Sequence, residues 1–176
     1  LDTNSRISLS NNDGGAGNTI FGKDAGNLLA SGDNYNVFIG EAVADADMTN
    51  ATYNVGVGYY SLGALTTGDN NVAIGASALL AINTGASNVV LGSTAGDSIT
   101  SQSYCILIGS GAGGAITSDD ANGLIAIGHA AGTANASGQK NMFIGYSAGG
   151  ETTIGDSNIA IGYQALVGDG AFQNDN

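Results

Sequence analysis

The chain has 176 residues, thirty of them glycine, with no proline or tryptophan, a single cysteine and only a tenth of its residues charged. Its formal net charge of −12, with Arg6, Lys23 and Lys140 as the only Lys or Arg, excludes a nucleic-acid or phospholipid surface as partner, since binding there needs clustered cations. Cys105 stands alone, which excludes an intrachain disulfide, and no apolar run approaches the roughly 20 residues that span a bilayer, so membrane insertion is not expected.

Residues 1–16 read as a lead-in. Ile7 and Leu9 alternate with Ser8 and Ser10, which suits a short strand. Asn11, Asn12, Asp13, Gly14 and Gly15 follow with residues that tolerate the positive φ of turns. The chain opens on Leu1 without a visible signal peptide, which suits a piece excised from something longer.

Residues 17–166 form a repeat domain. A phrase of the type Asn71-Val72-Ala73-Ile74-Gly75 recurs nine times, closing at Gly22, Gly40, Gly58, Gly75, Gly92, Gly109, Gly128, Gly145 and Gly162. These glycines lie 17 to 19 residues apart, and a fixed period of that length predicts a solenoid. With the glycine as position 0, position −4 is Asn in seven of the nine copies, Cys105 and Leu124 taking the other two. Positions −3 and −1 are mostly β-branched, as in Val72 and Ile74, which predicts a short strand with one buried face. Position +3 is small, as in Ala25, Ala78 and Ala165, and position +7 is apolar in Leu29, Leu65, Ile82, Ile99 and Ile116. No copy holds an apolar pattern of helical length. The prediction is an all-β parallel solenoid of about nine coils, each of 17 to 19 residues, whose core exists only once coils stack. Residues 167–176 are a C-terminal tail. The Asn column is either an amide ladder of the kind stacked strands form or a row of favourable turn residues.

Positions −3 and −1 are taken as the inward face, so position −2 is predicted to point outward. That column reads Ile20, Phe38, Gly56, Ala73, Val90, Leu107, Ala126, Phe143 and Ala160, with no polar residue. An apolar stripe along nine coils exceeds what a soluble monomer exposes. The expected cover is another copy of the chain, with Ile20, Phe38, Ala73, Val90, Leu107, Ala126, Phe143 and Ala160 at the interface. The alternative is a wider coil in which position −2 packs on the chain's own +7 residues.

The phrases at 71–75 and 158–162, each with Ala three residues later, resemble the head repeats of trimeric autotransporter adhesins. Similar repeats occur in bacteriophage tail-fibre proteins, and residues 1–22 also resemble the tail-fibre versions. The resemblance spans roughly residues 17–166 and implies a left-handed parallel β-roll, a homotrimer, and attachment to a cell surface from a virion or bacterial exterior. The coils are two or three residues longer than the adhesin repeat, and no neck, coiled-coil stalk or anchor barrel follows. These departures favour a tail-fibre segment over a bacterial adhesin head. A homopolymeric extracellular filament is the other alternative, because solenoid ends expose unpaired strand edges.

Position +1 carries Tyr59, His129, Tyr146 and Tyr163. The last three fall in consecutive coils, giving a column of rings that either contacts a cell-surface glycan or merely covers backbone. Tyr35, Tyr53 and Tyr104 at position −5 read as structural. His129 has no Cys or His at metal-ligand spacing, and Asp33, Asp69 and Asp156 read as solvated turn residues. Glu41 and Glu151, six coils apart, are separated by about 29 Å at strand spacing, too far for glycoside hydrolysis. Asp119 and Asp120 lack a partner acid. No Ser-His-Asp grouping is discernible, so no enzyme activity, cofactor or metal is expected. The loops Asp45–Tyr53 and Gly114–Gly123 are the expected receptor contacts, since binding residues concentrate on exposed loops.

Overall fold

The computed structural model describes residues 15–116, 118, 121–135, 137–150 and 155–167. The expected lead-in strand, the tail beyond Val167, the Asp119–Asp120 pair and Glu151 lie outside them. Nine strands follow one another: β1 (Thr19–Phe21), β2 (Val37–Ile39), β3 (Val55–Val57), β4 (Val72–Ile74), β5 (Val89–Leu91), β6 (Ile106–Ile108), β7 (Ile125–Ile127), β8 (Met142–Ile144) and β9 (Ile159–Ile161). They form one parallel sheet in chain order. Equal repeat positions pair throughout, as in Val72↔Val89 and Ile74↔Leu91. No helix occurs among the described residues. The fold is therefore an all-β parallel solenoid.

The repeat glycine makes the stacking close. Its φ lies between +125° and +145° in all nine coils, a region that side chains avoid. A Cβ on Gly75 would sit 2.5 Å from the Gly92 carbonyl oxygen. The glycine thus lets one coil's backbone lie directly on the next, and the Gly75 N–H donates to the Val57 carbonyl at 2.8 Å.

The inward column is position −2, which corrects the sequence prediction. Phe38, Ala73, Val90, Leu107, Ala126, Phe143 and Ala160 are buried in the chain's own core, and Ile20 packs partly against it. The seven buried residues cannot form an interface between chains. They meet the small +3 residues and Leu65, Ile82, Ile99 and Ile116 at +7, which is the wider coil named as the alternative above. The core is filled by reciprocal sizes at −2 and +4. Phe143 packs over Gly149, where a Cβ would fall 2.5 Å from the ring, and Leu107 over Gly113, where it would fall 2.9 Å away. Conversely, Gly56 and Ala73 share their coils with buried Leu62 and Leu79. In the seventh coil, where Ala126 and Gly132 are both small, buried Leu124 at −4 supplies the bulk, and the packing stays dense along the stack.

The Asn column is an amide ladder. Asn18, Asn36, Asn54, Asn71, Asn88, Asn141 and Asn158 are all buried. Asn71 Oδ1 accepts from the Asn88 N–H at 3.1 Å and from Asn88 Nδ2 at 3.0 Å. Asn71 Nδ2 donates to the Gly85 carbonyl at 2.8 Å and to Asn54 Oδ1 at 3.2 Å. Each amide thus ties a strand to the turn beneath the next strand and satisfies buried backbone groups that water cannot reach. At Cys105 the ladder loses its amide. The Cys105 N–H still donates to Asn88 Oδ1 at 2.9 Å, and buried Gln102 bridges the turn by donating to the Ser118 carbonyl at 2.7 Å.

Candidate interaction face

With Asn −4 and position −2 inward, strand alternation sends positions −3 and −1 outward; the −5 residues, at a left-handed φ of +54° to +72°, and the +1 residues are exposed or partly exposed on either side. The two middle columns are the ones predicted to be buried. Val37, Val55, Val72, Val89, Ile106, Ile125 and Met142 form one; Ile39, Val57, Ile74, Leu91, Ile108, Ile127 and Ile144 form the other, and all are partly or fully exposed. In the central coils Ile74 is 40% exposed and Leu91 36%, rising to 62% for Phe21 and 65% for Ile161 at the ends. An apolar stripe does run along the solenoid, on different columns from those predicted. Nine strands of three residues make it about 10 Å wide and about 43 Å long.

Polar and aromatic columns flank the stripe. On the −5 side the Tyr35 and Tyr53 rings stack with centroids 5.2 Å apart, beside Gly17, where a Cβ would lie 2.7 Å from the Tyr35 ring. Further along, this column holds Tyr104, exposed, and Lys140. On the +1 side, Lys23 donates to Glu41 at 3.2 Å and lies 3.5 Å from Asp24. The hydrogen bond to Glu41 raises the Lys23 pKa above its ordinary value, helped by the charges of Glu41 and Asp24. Tyr59 meets Tyr60 edge-on at 4.5 Å. Loss of hydration beside its neighbours, then the Tyr60 and Glu41 charges, push the Tyr59 phenol up.

The structure brings His129, Tyr146 and Tyr163 together as a ring column. Centroids are 5.1 Å and 5.4 Å apart and interplanar angles 11° and 15°. The facing surfaces cover one another, so a flat ligand has only the column's two ends to stack on; the sides present ring edges and hydroxyls.

The turn aspartates are structural, and they are not all solvated as predicted. Asp33 is fully buried; its carboxylate accepts from the Ala30 N–H at 2.6 Å and from the Ala51 N–H at 2.9 Å. At position −6, one coil's side chain accepts the backbone N–H of the coil before. Asp69 does so for Thr52 at 2.6 Å, Asp156 for Gln139 at 2.8 Å, and Asn122 for Ser103 at 2.7 Å. This second ladder was not anticipated from the sequence. Its signal was a recurrence of Asn, Asp, Ser or Thr at −6. The Cys105 thiol lies 3.7 Å from the Ser103 carbonyl and 3.8 Å from the Ala121 carbonyl, and burial raises its pKa, against a smaller lowering by backbone contacts at Leu124 and Gly123.

Among the described residues no group of three or more His, Cys, Asp or Glu is placed to hold a metal ion. Glu41 accepts from Lys23, and His129 stacks on Tyr146. The feature with capacity for binding is the outward sheet face with its two flanks. No protein-family model, curated protein or solved structure matches the chain.

Proposed function

We propose that this chain is a non-enzymatic structural and attachment module, a β-solenoid segment of a tail fibre that assembles with copies of itself and displays loops to a host cell surface. The apolar outward face of β1–β9 carries this reading. Side chains at −3 and −1 lie at the surface of a single chain along its whole length, and an apolar stripe of that extent marks an interaction site. A threefold, left-handed arrangement follows from the resemblance to adhesin-head and tail-fibre repeats, which equally accommodates a bacterial adhesin head. Loops returning behind the sheet are the receptor-facing part. The Asp45–Tyr53 loop is anchored by buried Met48 and Ala51 while Asp47, Thr49 and Asn50 reach solvent. A glycan at His129, Tyr146 and Tyr163 would have to use the ends or edges of the stacked column.

Mass measurement by analytical ultracentrifugation tests the assembly. Three chains per particle are expected. Leu91→Lys with Ile108→Lys should give single chains that keep their β-sheet circular dichroism. A wild-type chain that stays single in dilute solution would overturn the reading, and open-ended growth would favour the filament. Screening the assembled protein against a glycan array then identifies the receptor class.

A further inference from the structure

The flanks of the apolar face are unequal, and in the first, sixth, seventh and ninth coils a bulky residue on one flank has a small one opposite. We propose that the −5 column of one chain packs against the +1 column of the next, with the solenoid axes parallel and equal coils at equal height. This rests on the self-assembly proposed above and specifies its seam. The aliphatic stripe, about 10 Å by about 43 Å, supplies only about half of the roughly 800 Å² per partner of a stable interface, so the flanks must contribute.

In a ring of parallel chains, one edge of each face necessarily meets the opposite edge of its neighbour. The sequence fills part of that seam with complementary sizes; in the second coil two large residues, Tyr35 and Glu41, would meet. In the sixth coil Tyr104 at −5 would meet Ser110 at +1. In the seventh, Gly123 would leave room for His129, and in the ninth, Ser157 for Tyr163. In the eighth, Lys140 would lie beside the Tyr146 ring, a cation–π pair. Lys140 is exposed and forms no ion pair with any described residue, unlike Lys23. In the fourth and fifth coils both flanks are small or short (Asn70 and Ala76, Ser87 and Ser93), letting the backbones approach. Only the third coil sets two rings together, Tyr53 and Tyr59, each about half exposed in the single chain. The ring column at His129, Tyr146 and Tyr163 then serves as one wall of the seam.

The test is disulfide trapping in the full chain. Lys140→Cys with Tyr146→Cys places two thiols on opposite sides of the three-residue strand Met142–Ile144 within a chain, with about 10 Å of strand between them, beyond the roughly 7 Å that a disulfide allows between Cα atoms. A second pair, Tyr104→Cys with Ser110→Cys, has the same spacing. Under mild oxidation with glutathione disulfide, either pair should link most chains into covalent rings whose chain number equals the native mass. Tyr35→Cys with Lys140→Cys, which an antiparallel dimer would juxtapose, should stay unlinked. If the wild-type protein is single-chain, both the assembly and its seam are overturned. If it assembles but only the Tyr35–Lys140 pair links, or neither seam pair does, the seam fails while the assembly stands.

Discussion

Removing one rung of the amide ladder gives a stability loss that can be worked from the coordinates. Asn71→Ala deletes a donor 2.8 Å from the Gly85 carbonyl and an acceptor 3.1 Å from the Asn88 N–H. It also deletes both side-chain contacts, to Asn54 and Asn88. Two backbone groups lose their partners in a fully buried site. At about 1–3 kcal/mol for each orphaned group, the loss is about 2–6 kcal/mol. For a urea slope of about 2 kcal/mol/M, a loss of about 4 kcal/mol lowers the midpoint by about 2 M. The assay is urea unfolding followed by circular dichroism at one fixed chain concentration, because assembly shifts apparent stability. The reverse substitution checks the sign. Cys105→Asn would place an amide donor where the thiol lies 3.8 Å from the Ala121 carbonyl, the place in the coil that Gly85 holds below Asn88. It should raise stability by about 1 kcal/mol. A midpoint unchanged to within about 0.3 M for Asn71→Ala would refute the ladder as a source of stability and leave the Asn residues as turn formers.

Phe143→Ala should cost about 3–5 kcal/mol in the same unfolding assay without altering the number of chains per particle, because the ring lies in its own chain's core; a changed mass with unchanged stability would return position −2 to an interface. Gly75→Ala should cost at least about 3 kcal/mol or prevent folding, since its Cβ would meet the Gly92 carbonyl. Gly111→Ala, with nothing within 4 Å of the added carbon and a φ of +67°, should cost only about 1 kcal/mol; equal losses would refute the close-stacking role. Cys105, buried and with its pKa raised, should resist iodoacetamide at about pH 8 until urea unfolds the chain. Rapid labelling of the folded protein, read by mass spectrometry, would contradict that burial.

The sequence by itself determined the coil length, the stacking and the strand positions. A period of 17 to 19 residues leaves a three-residue strand no other place to pair than on its own copies, so register follows from the repeat. It did not determine which way the strand faces, because Val72, Ala73 and Ile74 are all apolar and a period of two is invisible where both phases are greasy. The deciding information was spread over distances that local alternation does not span. The amide at −4 must be inward to reach the turn beneath the next strand, and that fixes −2 as inward. The exchange of bulk between Phe143 and Gly149, or Gly56 and Leu62, shows which positions share one interior. Tertiary structure decided the rest, because the volume of a closed coil is finite. The −2, +3, +4 and +7 residues together fill it, and the branched side chains at −3 and −1 are left on the outside.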